Sequence, residues 1–157
     1  SINKLSLDAD KKLYLCTLER EKLMHTGWFG ESYLDDTIVA DSYQQLLDTY
    51  PNSEFADNAA FYLLRRKYVS EEGMLYSLEV DEEYQRFIER YPLSELKVSA
   101  SLEIVDMCLG SGRQGEARMN MLRRAKAELS RLSTKDMTEL QRERFLHYKS
   151  TVETELK

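Results

Sequence analysis

The chain has 157 residues, with 22 Lys and Arg against 28 Asp and Glu for a formal net charge of −6. That acidic surplus excludes a general binder of nucleic acid or of anionic membranes, since both draw on excess Lys and Arg; two Cys and two His leave little material for a metal cage. Six Gly, two Pro, 42% apolar and 32% charged residues suit a helical protein of one ordinary domain rather than a loop-rich sandwich or a disordered linker.

No apolar run approaches the roughly 18 residues of a bilayer span, so no membrane span is expected. The sequence opens on Ser1 and Ile2 without a charged stretch leading into an apolar one. The expectation is a processed or trimmed product, for which loss of a tether from the N-terminus is one route.

Apolar residues recur at helical spacing and predict seven helices. The first covers about 8–26, enters through Ser6 or Asp8 and stops at Gly27, with Trp28, Phe29 and Gly30 in the turn. The second covers about 35–50 and ends at Pro51, as a helix does before proline. Ser53 caps a third, to about Tyr68, and a turn at Gly73 leads to a fourth, about 76–91, that ends at Pro92. Ser94 caps a fifth, to about Leu109; Gly110, Gly112 and Gly115 punctuate a turn before a sixth, about 116–132. A seventh follows Ser133 or Thr134 and covers about 135–156, with Met137, Leu140, Tyr148, Val152 and Leu156 on one stripe and Leu146 off it. No segment carries a sustained strand pattern.

Sliding the chain by 41 positions exposes a repeat. Val39, Tyr43, Gln44, Tyr50, Pro51, Ser53, Glu54 and Ala59 fall on Val80, Tyr84, Gln85, Tyr91, Pro92, Ser94, Glu95 and Ala100. Chance can align two apolar stripes, but it does not usually align Tyr-Pro-x-Ser-Glu as well. Proline ends one helix, the Ser hydroxyl caps the next, and Ala59 and Ala100 let paired helices approach closely. One such pair cannot bury its apolar face alone; stacked copies can.

On these residues, Tyr50 to Ala59 with Tyr62 and Tyr68, the sequence is similar to the tetratricopeptide-like repeats of bacterial cell-envelope proteins, of the kind found in Tol-Pal-associated and outer-membrane β-barrel assembly proteins. The likeness covers about 39–105. It implies an all-α fold, a right-handed α-solenoid of about three helix pairs (8–50, 53–91 and 94–132) in one domain over 1–157, with 135–156 as a capping helix. It also implies a protein-interaction scaffold or adaptor without enzymatic activity or cofactor, periplasmic or outer-membrane-associated, with a lipoprotein complex as one setting. A cytoplasmic adaptor and a helix-mediated homodimer are the alternatives.

Helical spacing puts Ala56, Ala59, Leu63 and Leu64 on the packed face of the third helix and Asn58, Tyr62 and Arg65 opposite. By the resemblance, that opposite face lines a concave groove, so Asn58, Tyr62, Arg65 and Arg66 are the candidate residues for a bound peptide or helix; an aromatic anchor beside charge-assisted donors is common hot-spot chemistry. The next repeat carries Ser99 and Glu103 at the matching places, so no uniform code is expected.

Gly110-Ser111-Gly112-Arg113-Gln114-Gly115 is a literal G-x-G-x-x-G. A nucleotide or S-adenosylmethionine site of that type requires a strand to deliver the loop, and an inter-helix turn explains the glycines more simply. Cys16 and Cys108 lack a CxxC partner and are expected to be buried thiols. Asp81-Glu82-Glu83 and Glu71-Glu72 read as solvated helix-end charges, Arg123-Arg124-Lys126 as exposed helix surface, His25 as a helix C-terminal residue and His147 as exposed.

Overall fold

The computed structural model describes residues 2–24, 36–70, 73–74 and 76–157. Expectations at Gly27 to Gly30, His25 and Glu71-Glu72 lie outside the described residues. The backbone divides into two compact units, Ser1–Lys67 and Tyr68–Lys157.

In the first unit, α1 (Ile2–Met24) packs on α2 (Asp36–Thr49), and α3 (Ala56–Tyr68) follows the Tyr-Pro turn. α1 begins ahead of Ser6 and Asp8, so neither opens it; both lie inside the helix. Val39, Tyr43, Leu46 and Ala59 form the core, each at most 2% exposed, and Leu13, Tyr14 and Phe55 pack against it. With no side chain beyond Cβ, Ala59 lets α3 close onto α2.

The second unit opens with a two-residue antiparallel ladder, β1 (Val69–Ser70) on β2 (Gly73–Met74), too short to show as alternation in sequence. α4 (Leu78–Arg90), capped by the Ser77 hydroxyl, α5 (Leu96–Leu109), α6 (Gly115–Arg131) and α7 (Glu139–Glu155) complete it. α5 is apolar nearly all round, as a helix with neighbours on several sides must be; Leu102, Ile104, Val105 and Cys108 are wholly buried, and it packs on α4, α6 and α7. α6 also packs on α7. Arg118 of α6 fastens this end, donating to the Leu109 carbonyl at 2.6 Å and, through Nε and Nη2, to Glu155 at 2.9 and 2.8 Å.

The predicted seventh helix is in fact two elements. Thr134–Asp136 is a 3₁₀ turn, and α7 starts after Thr138, whose hydroxyl accepts from Gln141 N–H while the Gln141 side chain accepts from Thr138 N–H. That reciprocal cap is a stronger start signal than Thr134. Met137, Tyr148 and Val152 are buried as expected, but Leu140 is 68% exposed and Phe145 takes the place in the core.

The repeat returns at the level of single hydrogen bonds. Tyr50 N–H donates to Leu46 O, Ser53 N–H to Tyr50 O, Ala56 N–H to Ser53 O and Phe55 N–H to Ser53 Oγ, at 2.8 to 3.2 Å. Tyr91, Ser94, Lys97 and Leu96, each 41 positions on, make the same four bonds at 3.0 to 3.2 Å. Each serine hydroxyl thus holds the turn two residues ahead, and the helices proper begin at Ala56 and Leu96 rather than at the serines.

Candidate functional site

Asn58, Tyr62, Arg65 and Arg66 sit on α3 at spacings that bring i, i+4 and i+7/i+8 to one side. Tyr62 does not project away from the core. Its ring is half-buried, 4.7 Å from that of Tyr43, and its hydroxyl donates to Asp36 Oδ1 at 2.7 Å. The reason is that Tyr43 is itself in the core and offers a face for the second ring. Arg66 Nε pairs with the other oxygen of Asp36, so Tyr62 and Arg66 converge on one carboxylate at the start of α2. Arg65 instead lies over the Phe61 ring, 6.0 Å from its centroid, and Asn58 bonds to Asp57 Oδ1.

Behind Tyr62 the aromatic contacts continue: Tyr14 lies 6.4 Å from Tyr43 and stacks on Phe55 at 4.4 Å. Tyr43 hydroxyl donates to Glu21 at 2.8 Å. Burial first, and then the hydrogen bonds to Glu21 and Asp36, push both phenols well above the usual tyrosine range. They are therefore fixed donors and not acid–base groups near neutral pH. The site offers a rigid aromatic base edged by the exposed Arg65, Arg66 and Lys67, which suits recognition of an acidic segment.

Forty-one positions on, the same face of α5 carries Ser99, Glu103 and Asp106. There a helix is seated: Gln141 of α7 donates to Ser99 Oγ at 3.0 Å and Tyr148 of α7 to Asp106 Oδ1 at 2.7 Å. Glu103 accepts from Tyr84 at 2.7 Å.

A second polar cluster escaped the sequence reading. Asp81, expected as a solvated helix-end charge, is 6% exposed, and Arg124, expected on the surface, grips it through Nη2 and Nε at 2.6 and 2.7 Å. Tyr76 hydroxyl also donates to Asp81, at 2.8 Å. Arg124 Nη1 reaches Glu128, 2% exposed, at 2.8 Å, and Gln85 Nε2 donates to the same carboxylate at 3.0 Å. Burial alone would raise Asp81, but the hydrogen bonds from Arg124 and Tyr76 outweigh it and hold the carboxyl below its usual range. Burial and its bond to Asp81 push the Tyr76 phenol up to about 12. Every member has a partner, the condition under which buried ions are tolerated; the cluster joins α4 to α6.

Ile104 to Met107, where a nucleotide-binding loop would need a strand, lie inside α5; Gly112 and Gly115, at φ 61° and 60°, turn the chain into α6. Both thiols are free; Cys108 is buried as expected, with burial pushing it up to about 12, but Cys16 is exposed. Among the described residues no group of His, Cys, Asp or Glu is placed to hold a metal ion, and no helix is long and apolar enough to cross a membrane. Comparisons with protein-family models, curated proteins and solved structures find no match in any of the three.

Proposed function

We propose that the chain is a tetratricopeptide-like helical-repeat scaffold, a right-handed solenoid of about three helix pairs and a capping helix, that works by holding another protein and not by catalysis. The partner segment runs along Asn58, Tyr62, Arg65 and Arg66 of α3. The observation that carries this reading is the treatment of the corresponding face of α5, where α7 is seated through Ser99 and Asp106. What differs is the sign of the charge: Arg65 stands where Asp106 stands 41 residues on. An occupant of the α3 face is accordingly acidic, with an apolar or aromatic anchor against Tyr62, and its carboxylate competes with Asp36 for Arg66. The Tyr-Pro-x-Ser-Glu likeness supports a cell-envelope setting, where such repeats organise assemblies.

Photo-crosslinking from position 58 or 65 in the native source, with positions 45 and 48 on the exposed side of α2 as controls, tests the site. A partner captured from α3 and not from α2, and lost on Arg66→Glu, is the expected result. Equal capture from both helices, or none from α3, overturns it.

A further inference from the structure

α6 is seated in the seam between α4 and α5. It buries Leu122, Ala125, Glu128 and Leu129, packs on α5, and bonds across to α4 through Arg124 to Asp81 and through Gln85 to Glu128. At this seam Gln85 of α4 donates to Glu128 at 3.0 Å and the Cys108 carbonyl of α5 accepts from Arg118 at 3.4 Å. Forty-one residues on stand Lys126 of α6 and Lys149 of α7, which with Leu129 and Phe145 line a groove of about 240 Å³ between those two helices. α4 with α5 and α6 with α7 are both packed helix pairs, and among the described residues only the first has a helix lying across it.

We infer that the α6–α7 groove is a second docking site, for an acidic amphipathic helix of a partner protein seated as α6 is seated on α4 and α5. Two observations set the chemistry. The floor is apolar, with Leu129, Phe145 and Val152 at 5%, 7% and 1% exposure. The rim is basic: Lys126 and Lys149 are exposed, line the groove, and form no ion pair with a described residue. Lys126 replaces Gln85, the residue that donates to Glu128 of the seated helix, and Lys149 replaces the neutral Cys108. A helix in this groove meets an ammonium where α6 meets an amide, so it gains most from Glu or Asp at the place of Glu128. Glu153, also on the rim, leaves one net positive charge. This inference stands on the α4–α5–α6 packing and does not depend on the α3 site.

The probe is a fluorescein-labelled synthetic helix that keeps the α6 seam of Leu122, Ala125, Glu128 and Leu129 and carries Glu in place of the other Arg and Lys residues of Gly115–Arg131, titrated against the full chain by anisotropy. Saturable binding, weakened about tenfold or more by Lys149→Glu or Lys126→Glu, is expected, tenfold corresponding to about 1.4 kcal/mol. The probe with Lys at the Glu128 place binds Lys126→Glu better than it binds the unaltered protein. Both variants alter exposed lysines, and circular dichroism confirms that they fold. No saturable binding up to about 1 mM, or binding indifferent to both lysines, overturns the site. Self-association in sedimentation that Lys126→Glu abolishes and the probe displaces overturns the partner helix in favour of a second copy.

Discussion

The two copies of the repeat, 39–64 and 80–105, share a skeleton and differ in what they do with polar groups. Ala40 and Asp81 occupy the same place, and each is 6% exposed. The first is an ordinary core alanine. The second is a carboxylate made tolerable by Arg124, Tyr76 and the helix they belong to or precede. Tyr43 and Tyr84 are equally buried, yet Tyr43 meets the ring of Tyr62 and sends its hydroxyl to Glu21 of α1, while Tyr84 meets Glu103 at the Tyr62 position. Packing is thus repeated and polar pairing is not: the buried bonds record which neighbour each copy was built to receive.

The largest break in that comparison comes from Arg124→Met. It leaves Asp81 buried without its cation and Glu128 with only Gln85 and the longer 3.5 Å pair to Arg131, and should cost about 3–5 kcal/mol in urea unfolding. Ala40→Asp asks the first copy to accept the carboxylate of the second at a place that is 6% exposed, and a comparable loss is expected. A loss under about 1 kcal/mol in Arg124→Met would show that the cluster behaves as a surface pair.

The same residue sets the pH response. The folded Asp81 carboxyl lies below its unfolded value, so its contribution is present above the ordinary carboxyl range and is lost as pH falls through the folded value. In Arg124→Met, burial dominates and Asp81 rises above its unfolded value. Stability at this position then grows as pH falls from neutral toward the carboxyl range. Unfolding midpoints at pH 7 and 5 should therefore move less favourably on acidification for the unaltered protein than for the variant.

Tyr84→Phe and Tyr43→Phe remove one hydrogen bond to a carboxylate each, about 1.5–3 kcal/mol. Both substitutions keep the ring, so the two losses report the hydroxyl bonds to Glu103 and Glu21, at 2.7 and 2.8 Å, and should be of similar size. A loss at one position more than about 1 kcal/mol above the other would mean that the carboxylates depend unequally on their tyrosine donors.

Helices were legible wherever proline, serine and apolar spacing agreed, which is why α2 to α6 fall within a few residues of expectation. The start of α7 was missed although Thr138-x-x-Gln141 is a capping box in plain view; Thr134, four residues earlier, supplied a competing start. The α3 site was half legible. Spacing alone groups Asn58, Tyr62 and Arg65, but it does not show that Tyr43 offers its ring to Tyr62, or that Asp36, 30 residues from Arg66, collects two donors. Asp81 and Arg124 were misread as surface charges because charged residues usually are. The clue was position: Asp81 shares the stripe of Tyr84 and Ile88, and Arg124 flanks Ala125 on the buried side of α6. Their pairing is set by packing between helices 43 residues apart, which no local pattern encodes.

The smallest expected effect tests the shared skeleton itself. Ser53 and Ser94 make the same bond to the N–H two residues ahead, at 3.2 and 3.1 Å, in turns whose backbone bonds also coincide. Removing one such side-chain hydrogen bond costs about 0.5–1.5 kcal/mol. If the turn is one device used twice, Ser53→Ala and Ser94→Ala fall in that range and differ by no more than about 0.5 kcal/mol, and the double variant shows their sum, because the two bonds share no partner. A much larger loss at Ser94 would mean that this turn also carries strain from α5 and its neighbours, and that the copies diverge in their backbone as well as in their polar side chains.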